Sequence, residues 1–219
     1  MDACCDPGAT SRYEEIFDTR FAESVARRYR RRGLPRLDRR ILAFLDDMGV
    51  RGASVLEIGG GVGELQLELL EHGAARAVNL ELSGEYEGVA RALATEHGLE
   101  RRITRVVGVD LAERPDAVAP VDVVVLNRVV CCYPHAVRLL DAAAGRARRA
   151  VVFSHPPRTP WTLLRIGTKN LLHRISGKRF RGYLHRPAVM IDALRADGFE
   201  IPLRSRGARW SVIGAVRPG

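Results

Sequence analysis

The run Glu57-Ile58-Gly59-Gly60-Gly61-Val62-Gly63-Glu64 concentrates the residue types with the clearest chemical meaning. Glycines at this density permit a tight turn and let backbone groups approach a ligand with no Cβ in the way. Such a loop can cradle a cofactor, and the charges beside it indicate which kind. A dinucleotide loop reads Gly-x-Gly-x-x-Gly. Counted from Gly59 and Gly61, its third glycine falls on Glu64; counted from Gly60, its second falls on Val62. The pattern fails in both registers. A pyrophosphate also seeks the positive end of a helix with no carboxylate nearby, whereas Glu57 precedes this loop and Glu64 opens the next helix. A phosphate-free ligand with positive charge of its own suits these neighbours.

Three more positions follow at the ends of strand-like runs. Glu81, with Leu82 after it, stands eighteen residues beyond Gly63, where an acid can accept both hydroxyls of a ribose. Asp110 and Leu111 close Val107-Gly108-Val109-Asp110-Leu111, and Asn127 closes Asp122–Asn127. Each has a plain alternative: a strand-end acid exposed to solvent, or a cap for a helix or turn. Their order along the chain, each at a strand's carboxyl end, favours one binding track.

The pattern Glu57-x-Gly59-x-Gly61-x-Gly63 resembles the first motif of class I S-adenosylmethionine-dependent methyltransferases, and the resemblance extends over residues 36–156. It implies S-adenosylmethionine as cofactor, whose sulfonium and ammonium suit the flanking carboxylates. Glu57, Gly59, Gly60, Gly61, Glu81, Leu82, Asp110, Leu111 and Asn127 would bind it. Within the resemblance Asp110 matches the acid that contacts adenine, and Asn127 matches residues lining the cofactor and the reacting group. An N-terminal arm over the cofactor would bring in Tyr29. No metal is implied.

Methyl transfer from a sulfonium needs alignment and desolvation, plus a base only where the nucleophile must lose a proton. A carboxylate acceptor is ionised already at neutral pH; an alcohol or phenol is not. His155, after Val151–Ser154 and before Pro156-Pro157, is the candidate catalytic base and is expected to project into the cleft. His135 reads as structural. Between positions 157 and 186 stand Arg158, Arg165, Lys169, Arg174, Lys178, Arg179, Arg181 and Arg186 with no acid, interleaved with Trp161, Leu163, Leu164, Ile166, Leu171, Leu172, Ile175, Phe180 and Tyr183. By the class I resemblance this insertion is a lid over the substrate cleft. Its composition suits a small-molecule acceptor that is anionic and partly apolar, or peripheral seating on an anionic membrane. A solvated helix with generic positive charge is the alternative.

A second basic run, Arg27-Arg28-Tyr29-Arg30-Arg31-Arg32-Gly33, suits phosphate contacts. No zinc knuckle, RNA-binding module or row of stacking aromatics accompanies it, so nucleic acid is the weaker partner. The stretch from Arg20-Phe21-Ala22 to Gly33-Leu34, with Leu126-Asn127-Arg128-Val129-Val130-Cys131-Cys132-Tyr133-Pro134, also resembles small bacterial enzymes related to magnesium-protoporphyrin O-methyltransferases. That resemblance implies a propionate carboxylate on a large, flat, apolar anion as acceptor. An RNA methyltransferase, a non-catalytic methyltransferase-like module for membranes or proteins, and a metalloid methyltransferase are the competing readings.

The cysteines form two adjacent pairs, Cys4-Cys5 and Cys131-Cys132, unlike the separated ligands of a zinc site. Reduced, buried small hydrophobes are the plain reading, and a vicinal-thiol site for a soft metal or metalloid is the sharper one. The 219 residues, 46% hydrophobic and 28% charged, suffice for one domain with a substantial core. The formal charge is +9. No apolar run reaches the length of a membrane-spanning helix, and no signal-peptide core precedes the first charges, so a cytoplasmic location is expected.

These residues need elements to hold them. Phe17, Phe21 and Val25 recur at helical spacing, and residues 1–35 read as a helical extension over the cofactor site. Leu37, Ile41, Leu45 and Met48 give one apolar helix face. From there strands at 53–58, 76–82, 103–109, 121–126 and 150–154 alternate with helices at 65–72, 85–97, 136–144 and 187–196. Segments 200–204 and 210–216 lie too close together for a parallel crossover and must pair antiparallel. The expectation is an α/β, Rossmann-like class I methyltransferase fold over residues 36–219. It comprises a mostly parallel seven-stranded sheet, an antiparallel C-terminal strand and helices on both faces.

Overall fold

A computed structural model describes residues 12–218. The elements run α1 (Thr19–Arg32), α2 (Arg36–Asp47), β1 (Ser54–Ile58), α3 (Glu64–Glu71), β2 (Arg76–Glu81), α4 (Glu87–Glu96), β3 (Ile103–Val107), β4 (Val121–Leu126), α5 (Ala136–Arg146), β5 (Ala147–His155), α6 (Pro160–Ile175), α7 (Pro187–Ala196), β6 (Glu200–Ser205) and β7 (Ser211–Val216). The strands form one sheet in the order β3-β2-β1-β4-β5-β7-β6. β1 to β5 are parallel, and β7 is antiparallel to both β5 and β6. The seven-stranded, mostly parallel sheet read from the alternation is therefore present. The order reverses between β1 and β4, and such a switch point opens a crevice outside the strands' carboxyl ends.

The central strands are apolar throughout because both of their faces are covered. Successive side chains leave a strand on opposite faces, and the two cores divide accordingly. Val123 and Val125 of β4 join Ile41, Leu45 and Leu93 on one side. Val124 and Leu126 join Leu140, Met190 and Leu194 on the other. Phe153 of β5 lies in the second core and is fully buried.

Local chemistry sets the helix ends. The Asp18 carboxylate accepts from the Phe21 amide at 2.8 Å and starts α1. The Thr159 hydroxyl accepts from Thr162 N at 3.1 Å, with Pro160 in the first turn of α6. Among the boundaries that differ from the sequence reading, two have a local cause. A 3₁₀ turn, Gly84–Tyr86, precedes α4 where one continuous helix was expected, because the Ser83 hydroxyl caps Glu85 N. β5 begins at Ala147 rather than 150, since Ala147 pairs with Val121 ahead of an irregularity in β4.

Candidate functional site

The loop after β1 owes its shape to its glycines. Gly59, Gly61 and Gly63 adopt φ of +62°, +55° and +85°, a region that side chains disfavour. A Cβ on Gly59 would also come within 2.6 Å of Val129 in the loop after β4, and one on Gly60 would collide with Asn79. The loop thus bends tightly against its neighbours and leaves a cavity of about 260 Å³ at the switch point. Glu57, Gly59, Gly60, Gly61, Glu81, Leu82, Asp110, Leu111 and Asn127, all named from the sequence, line this one cleft.

Backbone amides fix the acids. Glu81 Oε2 accepts from Gly61 N at 2.9 Å, and Oε1 accepts from the amides of Leu82 and Ser83 at 2.8 and 3.1 Å. The residue expected to hold a ligand thereby also holds the glycine loop. Asp110 accepts from Ala112 N at 2.9 Å and from the Tyr133 hydroxyl at 2.9 Å.

Glu57 is the most exceptional group in the cleft. It is buried, and its Oε2 has no hydrogen-bond partner. Burial pushes its carboxyl well above the ordinary carboxylate range, and the nearby Glu64 and Asp38 carboxyls push it further. Burial raises Glu64, Glu81 and Asp38 as well. A buried acceptor of this kind is costly unless something donates to it, and a cation would satisfy it.

Asp38, Arg128 and Ser154 belong to the site although sequence reasoning passed over them. Asp38, fully buried on α2, accepts from Asn127 Nδ2 at 3.0 Å and from the Arg128 guanidinium at 2.7 Å. Ser154 Oγ donates to Asn127 Oδ1 at 2.9 Å and accepts from Arg128 N at 2.7 Å. Arg128 itself has φ +63°, the single non-glycine with positive φ among the described residues, so these bonds clamp a disfavoured backbone beside the cleft. Asp38 had a signal: it stands four residues before Leu42 and seven before Leu45, on the buried side of α2. The rim comes from α1 and the segment before it, through Tyr13, Phe17, Phe21, Val25 and Arg28.

Two expectations are corrected by geometry. Tyr29 does not face the cleft. Its hydroxyl donates to Glu68 at 3.0 Å and its ring stacks on His97, so the inner face of α1 carries it into the core while Arg28 turns to the cleft. His155 is buried and outside the cleft lining. Its Nδ1 donates to the Pro156 carbonyl at 3.0 Å, and burial holds its pKa below the ordinary histidine value. It lines a small separate cavity with Val130, Cys131, Pro156, Tyr183, His185 and Met190, because the strand's alternation turns position 155 away from the carboxyl-end crevice. His135 too is absent from the lining.

The Cys131 and Cys132 sulfurs lie 3.7 Å apart, and Cys132 lines the cleft. Cys4 and Cys5 lie outside the described residues. Among the described residues no group of three or more His, Cys, Asp or Glu is arranged to hold a metal ion. In the basic run of α1, Arg27 pairs with Glu23 at 3.3 Å and Arg30 with Glu96 at 2.6 Å.

No family model matches the chain, and no curated protein does. Solved structures do. The magnesium protoporphyrin IX methyltransferase from Synechocystis PCC 6803 with bound SAH superposes with a TM-score of 0.67 at 22% identity, over 96% of this chain and 95% of that one. The same protein with bound SAM gives 0.66 at 21% identity, over the whole of both chains. An O-methyltransferase family protein from Burkholderia thailandensis gives 0.72 at 19% identity, over 94% of this chain and 63% of that one. These likenesses establish the fold: the sheet and its helices are those of the Rossmann-like class I methyltransferases.

Proposed function

We propose that this chain is an S-adenosylmethionine-dependent methyltransferase that acts on an oxygen of a small, anionic, partly apolar acceptor. The observation that carries the proposal is Glu57, buried under the glycine loop with an unpartnered oxygen, among acids that burial keeps above their ordinary pKa. A phosphate would meet repulsion here; a cationic ligand supplies the missing charge. Structures of the same fold that contain SAM and SAH support this reading.

The cofactor, when bound, supplies a methyl group already activated by a positive sulfur. This chain's residues would do the rest by positioning. Glu81 keeps lone pairs free for ribose hydroxyls while its amide bonds hold the loop. Asp110, fixed by Ala112 N and Tyr133, would take the adenine side, with Leu82 and Leu111 as its apolar walls. Glu57 and Glu64 would face the cationic end, and Asn127 the region near the reacting group. Residues 1–35 would cap the cofactor and residues 157–186 would cover the acceptor, with residues 36–219 as the transferase domain. The part of that cap before Arg12 lies outside the described residues.

What the cleft offers supports this acceptor class. Its described lining holds no histidine or lysine. Burial raises the Tyr13 phenol to about 12 and pushes Tyr86 and Tyr133 higher, so all three stay neutral at physiological pH. An acceptor that arrives ionised, such as a carboxylate, needs no base. Arg28 at the rim, beside Phe17, Phe21 and Val25, pairs a cation with an apolar wall for such an anion.

Isothermal titration with S-adenosylmethionine tests the first half of the proposal, and a wild type that fails to bind it refutes the reading. Label transfer from methyl-labelled cofactor into an extract of small acids tests the second. Arg28→Ala should then raise the KM for the acceptor while cofactor affinity is kept.

A further inference from the structure

Helix α6 is built inside out for a helix on a protein surface. At 3.6 residues per turn, Thr162, Ile166, Asn170 and His173 share one side. This is the side held to the protein. Thr162 is buried, Asn170 Nδ2 donates to Gly182 O at 2.8 Å, and Gly182 N donates back to Asn170 Oδ1 at 2.8 Å. His173 Nδ1 donates to Phe180 O at 3.2 Å. The opposite third of the circumference carries Trp161, Leu164, Leu171, Leu172 and Ile175, with Thr168 among them. These five apolar side chains are 56% to 74% exposed. A solvated helix puts its charges there; α6 puts its largest hydrophobes there.

The charges flank that stripe. Arg165 and Lys169 border it on one side and Arg174 on the other, with Lys178 and Arg181 just beyond the helix. Eight Lys and Arg and no Asp or Glu occupy residues 157–186. Among the described residues one of the eight, Arg179, has an acidic partner, Glu15 at 3.2 Å. In the basic run of α1, by contrast, Arg27 and Arg30 of five arginines pair with acids.

We propose that α6 seats the protein on an anionic membrane surface, with Trp161, Leu164, Leu171, Leu172 and Ile175 entering the interface and the flanking cations meeting the headgroups. Charge selects this occupant. A second copy docked on the same face would bring two cationic rims together with no acid of this segment between them. Residues 1–11 contain no large apolar side chain beyond Met1, so their composition does not match the stripe. Interfacial helices carry this pattern, an apolar face with tryptophan and a border of Lys and Arg. Among the described residues no helix is long and apolar enough to cross a bilayer, and α6 would lie along the surface.

Seating would set the cleft's position too. Phe180, just after α6, packs edge-on against Phe17 and Tyr13 at ring separations of 5.4 and 6.1 Å, and both of those rings line the cleft. The rim and the seating helix are thus one packed unit, which places the mouth near the bilayer surface. Only this last point rests on the proposed activity; the seating does not.

The test is co-sedimentation of the full chain with vesicles of phosphatidylglycerol and phosphatidylcholine, against phosphatidylcholine alone. Wild type should bind the anionic vesicles, lose binding as salt rises, and show a blue-shifted Trp161 emission in a Trp210→Phe background. Arg165→Ala/Lys169→Ala/Arg174→Ala should weaken binding about fivefold per charge, on the order of a hundredfold together. Leu164→Glu/Leu172→Glu should abolish it while far-ultraviolet circular dichroism and S-adenosylmethionine affinity stay as in wild type. The proposal is overturned if wild type ignores anionic vesicles, or if the Leu164→Glu/Leu172→Glu protein binds them equally well. A dimer in sedimentation velocity that this double variant dissociates, with no vesicle binding, would assign the face to a second copy instead. Cofactor titration without lipid separates any such failure from failure of the methyltransferase reading.

Discussion

Glu57 lies under the glycine loop with one oxygen unpartnered, and its protonation must respond to whatever occupies the cleft. Its carboxyl is raised in the folded protein by burial first and by the neighbouring Glu64 and Asp38 second, and burial raises Glu64 and Asp38 as well, against the pull of Arg128 on Asp38. The folded state therefore binds more protons than the unfolded one above the ordinary carboxylate range. The stability these groups contribute is fully present below that range and is lost as pH rises through their raised values. A bound cation favours the ionised forms, so its binding releases protons and its affinity climbs over the same window. Titrations with S-adenosylmethionine at about pH 5 and about pH 8 should show tighter binding at the higher pH, and Glu57→Gln should flatten the difference. Asp110→Asn removes a charged acceptor fixed by two donors and should weaken cofactor binding about ten- to hundredfold by calorimetry. Much of this site is legible without coordinates. Glu57, Glu81, Asp110 and Asn127 stand at strand ends, and the failed dinucleotide spacing beside two acids already argues for the cationic ligand proposed above. Arg128 and Ser154 are not legible, because their roles come from contacts across the sheet and from a left-handed backbone. Tyr29 and His155 show the converse. Their types suit a cofactor contact and a catalytic base, but helix phase and strand alternation turn them away from the cleft.

Secondary structure positions these residues with separable costs. Phe153 fills the second core without exposure, and Phe153→Ala should destabilise the protein by about 3–5 kcal/mol in urea unfolding. Thr159→Ala removes the cap of α6 and should cost about 1 kcal/mol. That loss should appear as faster amide exchange in the first turn of α6, with cofactor affinity unchanged. At this scale the parallel strands are readable because they are short apolar runs between turn signals. The order β3-β2-β1-β4 is not in any run; it comes from the handedness of the crossovers. The outward stripe of α6 was hidden for a related reason. The sequence shows which residues share a helix face, but only the bonds of Asn170 and His173 show which face is anchored.

For the molecule as a whole, the charge of +9 is unevenly spread: residues 157–186 hold eight cations and no acid, while the cleft is acidic. A cation that binds only the folded state stabilises it, by about 2.7 kcal/mol at a hundred times its Kd. For a domain of this size S-adenosylmethionine at that excess should raise the Tm by about 5–10 °C in scanning calorimetry, and Asp110→Asn should shrink the shift at equal concentration. The division of β4 between two cores has a further consequence, for how this chain can vary. Val123 and Val125 feed one side, Val124 and Leu126 the other, so the strand behaves like a reading frame. Substitution changes one letter; losing or gaining a residue shifts every later side chain to the wrong core and swings Asn127 off the cleft. The irregularity between Val121 and Val123 marks where the frame could absorb such a change. From Val123 to Asn127, descendants of this sequence are free to alter their spelling but not their length.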